Sequence, residues 1–118
     1  MTDEARMEHH YTPEQVRMLV RRAERQLAQA IEVSSREGAG THVPRAVQAA
    51  VHDTVVSLTK LFRDQVPGAA EVATRIARAY AKGADARAGA PTLACVRTLA
   101  ALAHEARERH LPEAGRAG

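Results

Sequence analysis

Apolar residues recur at intervals of three and four through most of the chain, and the breaks in that rhythm divide it into four segments. In the first, Val16, Leu19, Val20, Ala23, Leu27, Ala30 and Ile31 fall on one side of a helix, while Arg17, Arg21, Glu24, Arg25 and Glu32 fall off it and can form mixed-charge pairs. Its start is written in five residues. Thr12 is placed to cap the helix, Pro13 to be its first residue and Gln15 to reach back to Thr12, with Tyr11 and Val16 spaced as a hydrophobic staple. The pattern predicts a helix over 13–36, stopped by Gly38-Ala39-Gly40.

The second segment opens at Pro44 and carries Val47, Val51, Val55, Leu58, Leu61 and Phe62, which predicts a helix over 44–65 ended by Pro67-Gly68. The third, predicted over 68–82, has Val72, Ile76 and Tyr80 beside a row of small residues, Ala69, Ala73, Ala77 and Ala81, with Gly83 as its stop. After a connector rich in Ala and Gly, Leu93, Val96, Leu99, Leu102, Ala103 and Ala106 mark a fourth helix over 91–109. Arg107 and Arg109 occupy its last turn, where cations suit the helix dipole, and Leu111-Pro112 closes it. No segment alternates as a strand would. The expected fold is therefore all-α: a single-domain up-down-up-down four-helix bundle over 11–112, with a flexible arm at 1–10 and a disordered tail at 113–118.

Composition refines this picture. Of 118 residues 25 are alanine and the aromatics are Tyr11, Phe62 and Tyr80, so the core must be thin and built from Val, Leu, Ile and Ala. Thin cores bury little apolar area at about 25 cal/mol per Å², which leaves room for self-association. The net charge of +3 is modest, and 15 of the 17 cations are arginine, a bias that codon composition can produce without an anionic partner. Any nucleic-acid contact must come from a local patch. Cys95 is the only cysteine, which rules out an intramolecular disulfide and fits a reducing, cytoplasmic setting. The longest run without Asp, Glu, Lys or Arg is Ala88 to Val96, far short of the roughly 20 residues that span a bilayer.

Candidate chemistry is sparse. His52-Asp53 and His104-Glu105 are sequence neighbours, which point about 100° apart on a helix and cannot chelate as pairs. His9-His10 sits in the arm. The Glu-x-x-His spacing of di-metal bundles is missing, so neither a metal nor a cofactor is expected. Arg75, Arg78, Lys82 and Arg87 make the third helix and its connector the most basic stretch, opposed by Glu71 and Asp85, and are the candidate contacts to nucleic acid. Such a passive role is similar to that of the small helical subunits of RNA-guided complexes. Cys95, with no base in its own helical turn, is expected to be an inert, half-buried thiol.

Arg97 and His104 stand seven residues apart on one face of the last helix. An Arg followed by a His at this spacing, late in a helical bundle, resembles the motif of HEPN ribonucleases, whose paired sites across a dimer cleave RNA. The resemblance covers these two positions and the bundle. It implies His104 as general base and Arg97 as the group that stabilises phosphate charge. The polar residue that often follows the Arg in that family and the Tyr near its His are replaced here by Thr98, Leu99, Glu105 and Ala106.

Against that alternative stands a non-enzymatic interaction module, acting through helix faces towards a protein partner or as a homo-oligomer, with Ala69, Ala73, Ala77 and Ala81 as the candidate interface and Val33, Val56, Ala70 and Ala79 as further surplus apolar positions.

Overall fold

Four amphipathic segments in a chain of this length have one economical solution, which is to turn their apolar stripes towards a common axis. The computed structural model describes residues 11–37, 42–83 and 91–112. It contains α1 (Pro13–Glu37), α2 (Arg45–Lys60), α3 (Ala70–Gly83) and α4 (Leu93–His110), with a π-helical turn, Leu61–Gln65, continuing α2. The arm, the tail and the connector with Arg87 lie outside the described residues.

The start of α1 forms as its residues dictate. The Thr12 N–H donates to Gln15 Oε1 at 2.9 Å and the Gln15 N–H to Thr12 Oγ1 at 3.1 Å, a complete capping box. Val16 is buried but Tyr11 stays 44% exposed, its N–H bound to Gln65 Oε1 at the end of the π turn. The predicted helix 44–65 is not α-helical throughout. Its last turn widens, and the neighbours Leu61 and Phe62 both enter the core. Val66 to Ala69 then form a type II turn, with Ala69 N–H bonded to Val66 O, Pro67 supplying the fixed φ and Gly68 the positive one, +81°. That turn delays α3 to Ala70, two residues beyond the predicted start. Similarly, α4 begins at Leu93 because Thr92 caps it, accepting from Cys95 N–H at 3.1 Å.

Successive helices run antiparallel. Arg17 of α1 binds the carbonyls of Leu111 and Pro112, seven residues up α1 Glu24 meets His104, and between the two contacts α4 has moved seven residues the other way. Gln26 to Thr54, His52 to Tyr80 and Ala79 to Cys95 join the other neighbouring pairs. Each helix packs against its two neighbours round the bundle, α2 also approaches α4 across the core, and the backbones of α1 and α3 stay apart. The result is the expected four-helix bundle, its core holding Phe62, Leu27, Leu58, Ile76 and Leu99 among valines and alanines. No helix among the described residues is long and apolar enough to cross a membrane.

One end of the bundle is stitched by its connections. Val43 N–H bonds Pro91 O at 3.0 Å, and both residues are buried. Here α3 and α4 come so close that a Cβ at Gly83 would stand 2.3 Å from Cys95 Cβ and Sγ. Gly83 is thus required for the approach of two helices as well as for a helix stop.

Candidate functional site

The two residues of the HEPN-like pair have different surroundings. His104 joins a cluster between α1 and α4: its Nδ1 lies 3.1 Å from Glu24 Oε1 and 3.2 Å from Arg107 Nη2. Arg107 in turn grips both carboxylate oxygens of Glu24, Nε on Oε2 and Nη2 on Oε1. The Arg107 and Glu24 side chains are 11% and 16% exposed, whereas that of His104 is 59% exposed. Arg97 is exposed two turns earlier on α4 and takes no part in the cluster. The two contacts at Nδ1 exclude each other as hydrogen bonds, because Nδ1 donates to Glu24 only when protonated and accepts from Arg107 only when it is not. In the second case the ring proton sits on Nε2, and no lone pair faces solvent for use as a base.

The sequence marks Arg107 as a cation suited to a helix C-terminus and does not show that it faces α1. The signal that could have found it is the stripe itself. Arg107 stands four residues after the buried Ala103, on the edge of the apolar face, and Glu24 directly follows the buried Ala23.

Arg75, Arg78 and Lys82 are exposed along α3, and none makes an ion pair with a carboxylate among the described residues. Their stripe is less uniformly basic than the sequence implies. Arg75 lines a shallow cleft between α3 and α4 with Val72, Leu102, Glu105, Ala106 and Arg109, and Glu105 there lies 3.9 Å from Arg109. Glu71 is exposed within the same stripe. Tyr80 is partly buried with its hydroxyl 3.2 Å from His52 Nδ1 and its ring tilted against the imidazole, so it offers no open stacking face.

The alanine row does not form one surface. Ala69 and Ala73 are buried in the chain's own core, whereas Ala77 and Ala81 are exposed. The reason is geometric, since each four-residue step advances about 40° beyond a full turn and three steps carry a row from core to solvent. Ala69 and Ala73 are therefore unavailable as interface residues. A different set stays on one line: Ala70, Thr74, Ala77 and Ala81, spaced four, three and four, are all exposed. Thr74 Oγ1 is already bonded to Ala70 O at 3.2 Å, so this stripe carries no charge and no side-chain polar group that needs water. The stripe lies on the α2 side of α3, as Arg75 and the cleft lie on the α4 side. One turn along α2 from His52, which meets Tyr80, stands Val56, apolar and 44% exposed.

Cys95 is buried, its thiol 3.3 Å from Ala79 O, and burial pushes its pKa up. The Tyr80 hydroxyl is pushed up too, first by burial and then by its nearness to Cys95. Among the described residues no three His, Cys, Asp or Glu side chains assemble as metal ligands. His9 and His10 fall outside them.

Fold and surface together define an all-α bundle with one tightly bonded charged seam, α1 with α4, and one uncharged stripe of small side chains on the outer side of α3. Compared with models of protein families, with curated proteins and with solved structures, the chain finds no match.

Proposed function

We propose that the protein is a non-enzymatic helical interaction module whose contact surface is the outer face shared by α2 and α3. The observation that carries this reading is the exposed stripe Ala70, Thr74, Ala77 and Ala81 beside Val56. A four-three-four spacing keeps residues on one line of a helix, and small side chains on that line let another helix approach closely. The test is alkylation in cells of cysteines introduced singly at Ala77, Ala81 and, as an exposed control on α1, Ala28, with buried Cys95 as the slow internal reference. Protection at Ala77 and Ala81 but not at Ala28 is expected. Equal labelling at all three refutes a covered face.

One observation favours a second reading, the HEPN-like ribonuclease: the Glu24 carboxylate beside His104 Nδ1 can orient the imidazole with Nε2 outward, as a general base requires. RNA cleavage by the purified chain that is lost in His104→Ala and in Arg97→Ala would support it. Absence of cleavage, or cleavage that survives His104→Ala, removes it. Passive nucleic-acid binding has less behind it, since Glu71 and Glu105 interrupt the Arg75, Arg78 and Lys82 stripe.

A further inference from the structure

The outer surface of α3 has a symmetry that bears on the identity of the partner. Its small stripe reads four, three, four in either chain direction, so an antiparallel copy of the same helix sets Ala70 opposite Ala81 and Thr74 opposite Ala77. Going round the helix from the stripe towards α4, the first charged residues met are Arg78 and then Glu71, with Lys82 and Arg75 beyond them. A two-fold axis perpendicular to two antiparallel helices places these flanks on the same side. Glu71 then falls level with position 80 of the copy, about 3 Å along the axis from the partner's Arg78 at 1.5 Å per residue, and the pairing occurs twice. A parallel arrangement, with its two-fold axis along the helices, would instead put these flanks on opposite sides of the seam and make no Glu71 to Arg78 pair.

We infer that the occupant of the α2 and α3 face is a second copy of this chain, docked with its α3 antiparallel and exchanging two Glu71 to Arg78 ion pairs. The inference rests on the reading of that face as a contact surface. The apolar stripes supply contact, with Val56 beside them to be covered. The exchanged charges select the antiparallel register, which is the use of charges flanking a helix seam.

Sedimentation of the full chain tests this, because Glu71 and Arg78 are both exposed and their replacement leaves the core intact. The wild-type chain is expected to sediment as a dimer. Glu71→Lys and Arg78→Glu each convert two attractions into two repulsions and should weaken the dimer at least about tenfold. Mixing the two variants in equal amounts should restore a dimer, since each then supplies the charge the other lacks. A mixture no stronger than either variant alone overturns the inference, as does a wild-type chain that stays monomeric at about 100 µM. If the purified chain is monomeric while Ala77 and Ala81 are protected in cells, a different protein covers the face: the second copy is refuted and the contact surface stands. If they are unprotected as well, both fail.

Discussion

Consider Glu24→Gln, a change of one atom that removes a charge and little volume. In the native chain the Glu24 carboxylate takes two bonds from Arg107, in a site where the two side chains are only 16% and 11% exposed. The amide can still accept one of these bonds, but the guanidinium remains charged and largely out of water. Its nearby counter-charge is then Glu108, 3.4 Å from Arg107 Nη1 and well exposed. Breaking a fully buried pair from one side costs about 3–5 kcal/mol; the residual exposure and Glu108 lower this to about 2 kcal/mol here. For a domain of this size that is about 8 °C in melting temperature, and in urea a midpoint lower by roughly 1 M with an unchanged slope. His104→Ala, on the exposed edge of the same cluster, should cost less than about 0.5 kcal/mol. Removing both charges by Glu24→Leu with Arg107→Met should recover most of the loss, because no charge is then left stranded. The reasoning is wrong if Glu24→Gln unfolds within about 0.5 kcal/mol of wild type, or if the double variant is as unstable as the single one.

Other consequences can be read in the same unfolding assay. Thr12→Ala removes the acceptor for Gln15 N–H and should cost about 1 kcal/mol, with helix content at the N-terminus of α1 reduced in hydrogen exchange. Gly83→Ala places a methyl group on Cys95 and must push α3 from α4, which should cost about 1–3 kcal/mol and loosen exchange around Thr92 N–H, bonded to Gly83 O. The raised pKa values of Cys95 and Tyr80 mean that the folded chain holds protons the unfolded chain releases. Their contribution is complete below the unfolded pKa values and is lost as pH rises through the folded ones, so stability should fall in the alkaline range, and fall less in Cys95→Ala.

How far the sequence reveals this molecule depends on whether a feature is local. The α1 capping box is local, and Thr12, Pro13 and Gln15 determine it within one turn. The stripes are nearly so, and Val16, Val20, Ala23, Leu27 and Ala30 are all buried as their spacing predicts. The π turn after Lys60 was not legible, because it answers to the space around Leu61 and Phe62 once other helices are in place. Neither was the Glu24 and Arg107 pair, since residues 83 apart are joined only by the register of α1 against α4. The alanine row misled for a different reason. A repeat of exactly four looks like one face over two turns and ceases to be one over three, so Ala69 and Ala73 serve the core while Ala77 and Ala81 face out.

The two sides of the bundle are held unequally, and this gives the contact reading a thermodynamic consequence. α1 is tied to α4 by Arg17 on the Leu111 and Pro112 carbonyls and by Glu24 on Arg107. α3 is tied to α2 by apolar contact and the His52 to Tyr80 bond. A second copy on the outer face of α3 therefore adds contacts to a helix held to α2 largely by apolar packing, and anything that binds the folded chain but not the unfolded one stabilises it by mass action. A folded dimer should accordingly unfold at a higher urea midpoint as the chain is concentrated, by about 1.4 kcal/mol of stability per dimer, or about 0.7 kcal/mol per chain, for each tenfold increase above the dissociation constant. Ala77→Glu places an unpaired charge in the seam and leaves the core untouched. It should remove the concentration dependence while matching wild type at high dilution. A midpoint that is flat with concentration in the wild-type chain would show that self-association contributes nothing to its stability.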